Sequence, residues 1–334
     1  MIRLGWKAGP ENGPLDLLDG AVAADQYGFD LMDISYPAIP ESGAGQFSFN
    51  WAWLGAAAAK TQYLHLGPGV SCAALRSDAA VIAQAAQTLA VVAAGRSYIS
   101  INLAECLLDS SDEEGWIDQN EQQAMAAEAI SLIRQLWNGQ PVTFNGHFFQ
   151  TRKARINTHC DLGVPIYLAL DLPGTAYFAG FYGDGLIAAG GMRPQVYRRI
   201  LQEFARGARE AGKDPYTMPR MVTLPVSYHR AEDLDMETVF QVWGSDLFVS
   251  QPCDVAYIPV TATGNRQAFV EPHVEKTICA SSYPGEHAAL AEAYINMGFN
   301  TLLIRPVGCV LQEFIRAYGR DILPLIRASS RDRS

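Results

Sequence analysis

Glu105 is a carboxylate set in the otherwise apolar run Ile101-Asn102-Leu103-Ala104-Glu105-Cys106. Desolvation in such a setting raises a carboxyl pKa and suits the group to carrying a proton at neutral pH; a solvated loop carboxylate is the competing reading. Asp33, Ser35 and Tyr36 follow an earlier apolar run, where the two hydroxyls either donate hydrogen bonds into a pocket or line a surface loop. Gly67-Pro68-Gly69-Val70-Ser71-Cys72 follows another. Its glycines and proline permit an unusual backbone path beside a planar ligand, or a plain tight turn. Trp51 and Trp53 open a helical stretch and can stack on a ring, although core packing is the commoner use of tryptophan.

Other chemistries lack their residues. No GxGxxG opens a strand-helix unit, and neither GxxxxGKS, GxxxxGKT nor GxSxG occurs, which argues against a Rossmann dinucleotide site, a P-loop and a nucleophile elbow. The histidines at 65, 147, 159, 229, 273 and 287 show no HxH or HExxH spacing, so no metal is expected. Cys72, Cys106, Cys160, Cys253, Cys279 and Cys309 form no CxxC pair and read as reduced, mostly buried thiols. A net charge of −10 denies nucleic acid or an acidic membrane the positive footprint it needs, leaving a small-molecule substrate as the expected partner. The N-terminus runs into a strand-like segment without the apolar stretch of a signal peptide, and the apolar tract 79–94 is too short and polar to span a bilayer. The expected location is the cytoplasm.

The elements that must position these residues alternate. Short apolar runs at 2–6, 31–34, 64–66, 98–101, 166–169, 185–187, 221–226 and 301–304 read as strands. Amphipathic stretches at 14–27, 51–60, 78–94, 119–136, 175–182, 194–211, 285–297 and 310–326 read as helices, with Gly28, Gly212 and Gly298 as stops. Eight repeats predict an α/β fold of the (β/α)8 TIM barrel class, in one domain spanning 1–334. Two insertions interrupt it: one at 138–160, where Asn145-Gly146 marks a hairpin, and one at 231–273. In such a barrel the residues just past the strand ends converge on one pocket, which is where the candidates above fall.

Five stretches carry a family resemblance: Leu4-Gly5-Trp6-Lys7-Ala8, Trp51-Ala52-Trp53-Leu54-Gly55-Ala56, Ala80-Val81-Ile82-Ala83-Gln84, Ile133-Arg134-Gln135-Leu136-Trp137, and Gly207-Ala208-Arg209-Glu210-Ala211-Gly212-Lys213-Asp214-Pro215. Jointly they resemble, over nearly the whole chain, the luciferase-like hydride transferases that use coenzyme F-420, an 8-hydroxy-5-deazaflavin. Notable among that group are its glucose-6-phosphate and secondary alcohol dehydrogenases. The resemblance implies a bacterial-luciferase-like barrel, an oxidoreductase and a homodimer. It also implies a non-proline cis bond backing the deazaflavin, joining Gly69 to Val70, with Cys72 and Ser35 beside the cofactor. Glu105 keeps the strand-four glutamate that helps handle the proton when hydride moves, and is the catalytic candidate, with Tyr36 as a second proton donor.

The pattern departs at several positions. The Asp-His pair after strand two aligns with Tyr36-Pro37, and proline exchanges no protons. The Gly-Gly whose amides approach the cofactor phosphate aligns with Asp171-Leu172, and an asparagine near the ring with Leu108. Residues that hold the sugar phosphate align with Ala189 and Met192. The substrate expected is therefore apolar or a secondary metabolite, not a sugar phosphate, with Trp51, Trp53, Asp33, Ala189 and Met192 around it. Two readings stay open: F-420-dependent hydride transfer, or a divergent member that has lost deazaflavin binding and uses the barrel pocket for non-redox catalysis or ligand binding; FMN or no cofactor is the alternative to F-420.

Overall fold

The computed structural model describes residues 2–9, 12–34, 49–102, 119–170, 173–228 and 279–331. Each apolar run of the sequence forms a strand. In chain order these are β1 (Arg3–Ala8), β2 (Leu31–Ile34), β3 (His65–Ser71), β4 (Ile99–Asn102), the hairpin strands β5 (Val142–Asn145) and β6 (Gln150–Ala154), then β7 (Ile166–Leu170), β8 (Gly185–Ala188), β9 (Arg220–Ser227), the two-residue β10 (Cys279–Ala280) and β11 (Thr301–Pro306). The main sheet runs β10-β9-β11-β1-β2-β3-β4-β7-β8, and a further β8–β9 pairing closes eight parallel strands into a barrel. β10 lies outside the ring, beside the end of β9.

Side chains alternate between the two faces of each strand, so one parity fills the barrel and the other meets the helices. The inner parity is fixed by a closed cluster of Leu31, Tyr98, Tyr167, Ile187, Met221 and Leu303. Gly5 completes this layer on β1, where a Cβ would come within 2.8 Å of both Leu31 and Leu303. Gly67 is glycine for a similar reason, because the Tyr98 ring lies 2.1 Å from where its Cβ would be. The outer parity carries Leu4, Trp6, Met32, Ile34, Leu66, Ile99, Ile101, Leu168, Leu302 and Ile304 into the larger core between sheet and helices.

That core is covered by α1 (Pro14–Gln26), α2 (Asn50–Lys60), α3 (Cys72–Val92), α4 (Gln119–Trp137), α5 (Ala176–Tyr182), α6 (Pro194–Glu210), α7 (Pro284–Met297), α8 (Leu311–Asp321) and α9 (Leu323–Arg331). Gly28, Gly212 and Gly298 take the positive φ expected of helix stops. Of the described residues, no helix is long and apolar enough to cross a membrane.

Three expectations are corrected. Strand three does not stop at Leu66: β3 continues through Gly67-Pro68-Gly69 to Ser71, and α3 starts at once, so the glycine-rich stretch is strand, not turn. Pro68 is tolerated because it stands opposite Ile34, the last residue of β2, where the ladder ends. The bond from Gly69 to Val70 is trans, and the described residues hold no cis peptide. Both residues keep register with β4, Gly69 beside Ser100 and Val70 beside Ile101, a spacing that the shorter Cα separation across a cis bond would break. The single helix expected at 310–326 is two, because Pro324 cannot donate to the preceding turn and crowds it. The hairpin falls inside the first insertion as expected, its turn held by the Glu128 carboxylate, which accepts the N–H groups of His147, Phe148 and Phe149. The second insertion lies outside the described residues.

Candidate functional site

Two residues beyond each member of the inner apolar layer, toward the C-terminal strand ends, stand Asp33, Ser100, Ala169, Ala189, Thr223 and Arg305, with Lys7 two beyond Gly5. This next layer is divided. On β7, β9 and β11, and just past the end of β8, its members Ala169, Thr223, Arg305 and Ala189 are partly exposed. On β1, β2 and β4 it is a buried polar group: Lys7, Asp33 and Ser100 are 8%, 0% and 3% exposed.

The Lys7 ammonium donates to Asp33 Oδ1 in a short ion pair, and the strand register places the two side by side. Asp33 Oδ2 accepts the Ser100 hydroxyl at 2.9 Å and faces the Tyr98 hydroxyl at 3.4 Å. Tyr98 donates mainly to the Met32 carbonyl at 3.0 Å. Burial, and then the negative charge of Asp33, push the Tyr98 hydroxyl well above its usual pKa, so it stays a donor at any ordinary pH. A charged pair in a barrel interior is costly unless its remaining donors and acceptors find partners. Asp33 has three neighbours; for Lys7, Asp33 is the only polar partner among the described residues. An ammonium carries three donors, and among the described residues Asp33 alone accepts from this nine-tenths buried lysine.

The structure brings only some of the predicted site residues to this layer. Asp33 is inside β2, not after it. Gly69 and Val70 lie in β3, Gly69 partly exposed on the inner parity and Val70 buried on the outer. Cys72 is the first residue of α3. Ala189 and Met192 follow β8, where Tyr197 fixes the turn by donating to the Ala189 carbonyl at 2.9 Å and accepting the Met192 N–H at 3.1 Å. Trp53 is 6% exposed and belongs to the core between sheet and helices, and Trp51 is half-buried against the same core. Ser35, Tyr36, Pro37, Glu105, Leu108, Asp171 and Leu172 lie outside the described residues.

Lys7, Tyr98 and Ser100 were missed by motif reasoning. The pattern that points to Lys7 is parity: in Gly5-Trp6-Lys7-Ala8 a lysine stands mid-strand on the face of a glycine, and in Leu31-Met32-Asp33-Ile34 an aspartate shares the face of a leucine. Among the described residues no group of three His, Cys, Asp or Glu is placed to hold a metal ion. In the same layer as the polar group, the inner-facing Gly69, Ala169 and Ala189 are small and partly exposed, which is compatible with a planar ring lying at the strand ends.

Comparison with known proteins agrees with this architecture. A family model described as luciferase-like monooxygenase matches residues 3–301. The F-420-dependent glucose-6-phosphate dehydrogenase of Beutenbergia cavernae is 32% identical over 99% of both chains. Among solved structures, an F-420-dependent secondary alcohol dehydrogenase in complex with an F-420-acetone adduct matches with a TM-score of 0.85 and 26% identity, over 98% of this chain and 99% of the other. A coenzyme F-420-dependent tetrahydromethanopterin reductase from Methanopyrus kandleri shares the fold, with a TM-score of 0.77 and 16% identity over 97% and 99% of the two chains.

Proposed function

This chain belongs to the luciferase-like monooxygenase family, and from that premise we propose that it is a coenzyme F-420-dependent oxidoreductase moving hydride to or from an apolar or secondary-metabolite substrate. One observation carries the reading: the end-to-end match, at a TM-score of 0.85, to an enzyme whose solved structure holds an F-420-acetone adduct. When bound, the deazaflavin supplies the hydride at its C5 position. The chain must supply the rest: a flat surface for the ring, exclusion of water and a proton donor. Gly69, Ala169 and Ala189 present little side chain where a ring would lie. Val70 and Cys72, at the passage from β3 into α3, and Ser35, Leu108 and Asp171 complete the proposed cofactor contacts. Glu105 and Tyr36 are the proposed proton carriers, and Pro37 favours a reductase, which needs one hydride and one proton, over an alcohol oxidation that would need a base.

In this reading the substrate differs from the sugar phosphate in the relatives' names, and what supports it is that Ala189 and Met192, aligned with the positions that hold the phosphate, carry no charge. Trp51 and Trp53, proposed at the pocket from sequence, are better placed to brace α2 against the sheet.

The test is a titration of purified protein with oxidised F-420, followed by absorbance and fluorescence. Saturable binding in the micromolar range is expected; no binding there overturns the reading and makes an FMN titration the next step. With the oxidised coenzyme, glucose 6-phosphate-dependent reduction of the deazaflavin should be absent. Glu105→Gln should leave coenzyme binding intact and lower turnover about 100-fold or more, the usual range for losing a general acid or base.

A further inference from the structure

We propose that Arg305 selects the substrate, and that the substrate is a carboxylic acid, an apolar body bearing one carboxylate that the guanidinium holds. The proposal deepens the hydride-transfer reading by naming the substrate's charged group, and rests on that reading for where the ring lies. Strand parity places the residue. On β11 Leu303 belongs to the inner apolar layer and Ile304 to the outer core, so Arg305 faces inward, one layer nearer the strand ends, the side on which barrel enzymes bind their substrates. In the closed ring β9-β11-β1-β2-β3-β4-β7-β8, β11 stands four strands from β4 in either direction and so faces it across the barrel. The small residues offered to the ring system, Gly69 on β3 and Ala169 on β7, flank β4. A substrate stacked on that ring lies between it and Arg305.

Charge and access distinguish Arg305 from the other cation of the layer. The register that sets Gly5 beside Leu303 and Trp6 beside Ile304 carries on to set Lys7 beside Arg305. Lys7, however, is buried, and among the described residues Asp33 makes its ion pair with Lys7 alone. Those two charges cancel, and Asp33 is kept from cancelling Arg305. The members of the layer that solvent reaches are Gly69, Ala169, Ala189, Thr223 and Arg305. All but the last are uncharged, so among the described residues the open part of the layer carries one charge, and it is positive. An anion meets that charge without entering the buried pair. A guanidinium presents its N–H groups in a planar fork that matches the two oxygens of a carboxylate, and its five donors can serve a ligand beside the interactions that Arg305 already makes. One cation answers one negative charge. A phosphate monoester brings close to two at neutral pH, and Ala189 and Met192 supply no second cation.

The experiment compares cyclohexanecarboxylate with its neutral counterpart cyclohexanecarboxamide and with cyclohexyl phosphate. Binding of each to the purified protein is measured by ligand-observed NMR at low salt, with saturating oxidised coenzyme and again without coenzyme. Wild-type protein should prefer the carboxylate to the carboxamide about tenfold or more, the worth of one charge-assisted hydrogen bond, and should lose part of that preference as salt is raised. Arg305→Gln should abolish the preference while leaving carboxamide affinity unchanged, a split that a merely structural role would not produce. Arg305→Lys, which keeps the charge and loses the fork, should retain part of it. Arg305 is partly exposed, so both variants should fold, as circular dichroism would check, and the wild-type comparison needs no variant. Equal binding of carboxylate and carboxamide by wild type, an undiminished preference in Arg305→Gln, or tighter binding of cyclohexyl phosphate than of the carboxylate each overturns the proposal. If coenzyme fails to bind, only the hydride-transfer reading falls, and the carboxylate preference of the coenzyme-free protein still decides the role of Arg305.

Discussion

At the scale of single residues, the barrel interior shows how a charge is made tolerable and what it then costs to disturb it. Asp33 is fully buried, and its carboxylate is compensated by Lys7 and the Ser100 hydroxyl. Asp33→Asn leaves the ammonium buried without a counter-ion and should destabilise the protein by about 3–5 kcal/mol, read as a lower denaturant midpoint. Lys7→Met/Asp33→Leu should recover most of that loss, since an apolar pair of similar volume needs no solvation. Tyr98→Phe should cost only about 1 kcal/mol, because the hydroxyl it removes contributes one hydrogen bond to the Met32 carbonyl while the ring stays against Gly67. The order of these three midpoints separates a charge that is compensated from one that merely sits near polar groups.

At the scale of elements, close backbone approach sets the tolerances. α5 and α6 cross where Gly180 faces the Phe204 carbonyl and Gly207 the Tyr177 carbonyl, each within 2.1 Å of where a Cβ would stand. Backbone cannot swing aside as a side chain can, so Gly207→Ala should cost about 1–3 kcal/mol or more in thermal or denaturant unfolding, although alanine is the better helix former. Lys213 closes the C-terminus of α5 by donating to the Phe181 and Gly183 carbonyls at 2.8 and 2.7 Å. Its replacement by Met should cost about 1–2 kcal/mol and loosen α5 first, visible in amide exchange. Most of this framework was legible in the sequence, because apolar runs of period two and glycine stops are local features: every predicted barrel strand forms, and β2 has the predicted limits of 31–34. What was not legible depended on neighbours. Gly67-Pro68-Gly69 looks like a turn until β4 is alongside to pair with it, and Trp53 looks like a ring platform until α2 is laid on the sheet. Lys7 and Asp33 are ordinary strand residues until the register puts them face to face.

At the scale of the whole molecule, the two ends of the barrel are chemically different, and this separates the pH dependence of stability from that of function. Beyond the apolar plug, toward the strand ends, lies the neutral Lys7–Asp33 pair. At the opposite end His65, near the start of β3, is held to a pKa of about 4 by burial and then by the charges of Arg3 and Arg96. On the outer layer His287 is also lowered, chiefly by burial, with its ring edge-on to Tyr228 and Tyr318. For both residues the folded pKa lies below the unfolded value of 6.5, so in the window beneath 6.5 the unfolded chain binds more protons than the folded one. Stability is therefore full above that value and declines as pH falls toward about 4. The carboxylates Glu128 and Asp321 are also lowered, against the opposing effect of burial for Glu128 and by the Arg320 hydrogen bond for Asp321. They contribute the same sign, but only as pH falls below their ordinary values of 4.5 and 3.8. Among the described residues, the upper part of the decline, between 6.5 and 4.5, thus belongs to these two histidines. A series of melting curves across that window should show the wild-type midpoint falling steadily, with a shallower slope in His65→Gln, whose neutral side chain takes up no proton. The effect is moderated because His65 is partly exposed. Coenzyme affinity measured on the same samples should not follow that slope, since His65 lies at the far end of the barrel from the residues proposed to hold the ring. A slope unchanged by His65→Gln would place the proton uptake elsewhere, His287 being the remaining histidine with a lowered pKa among the described residues.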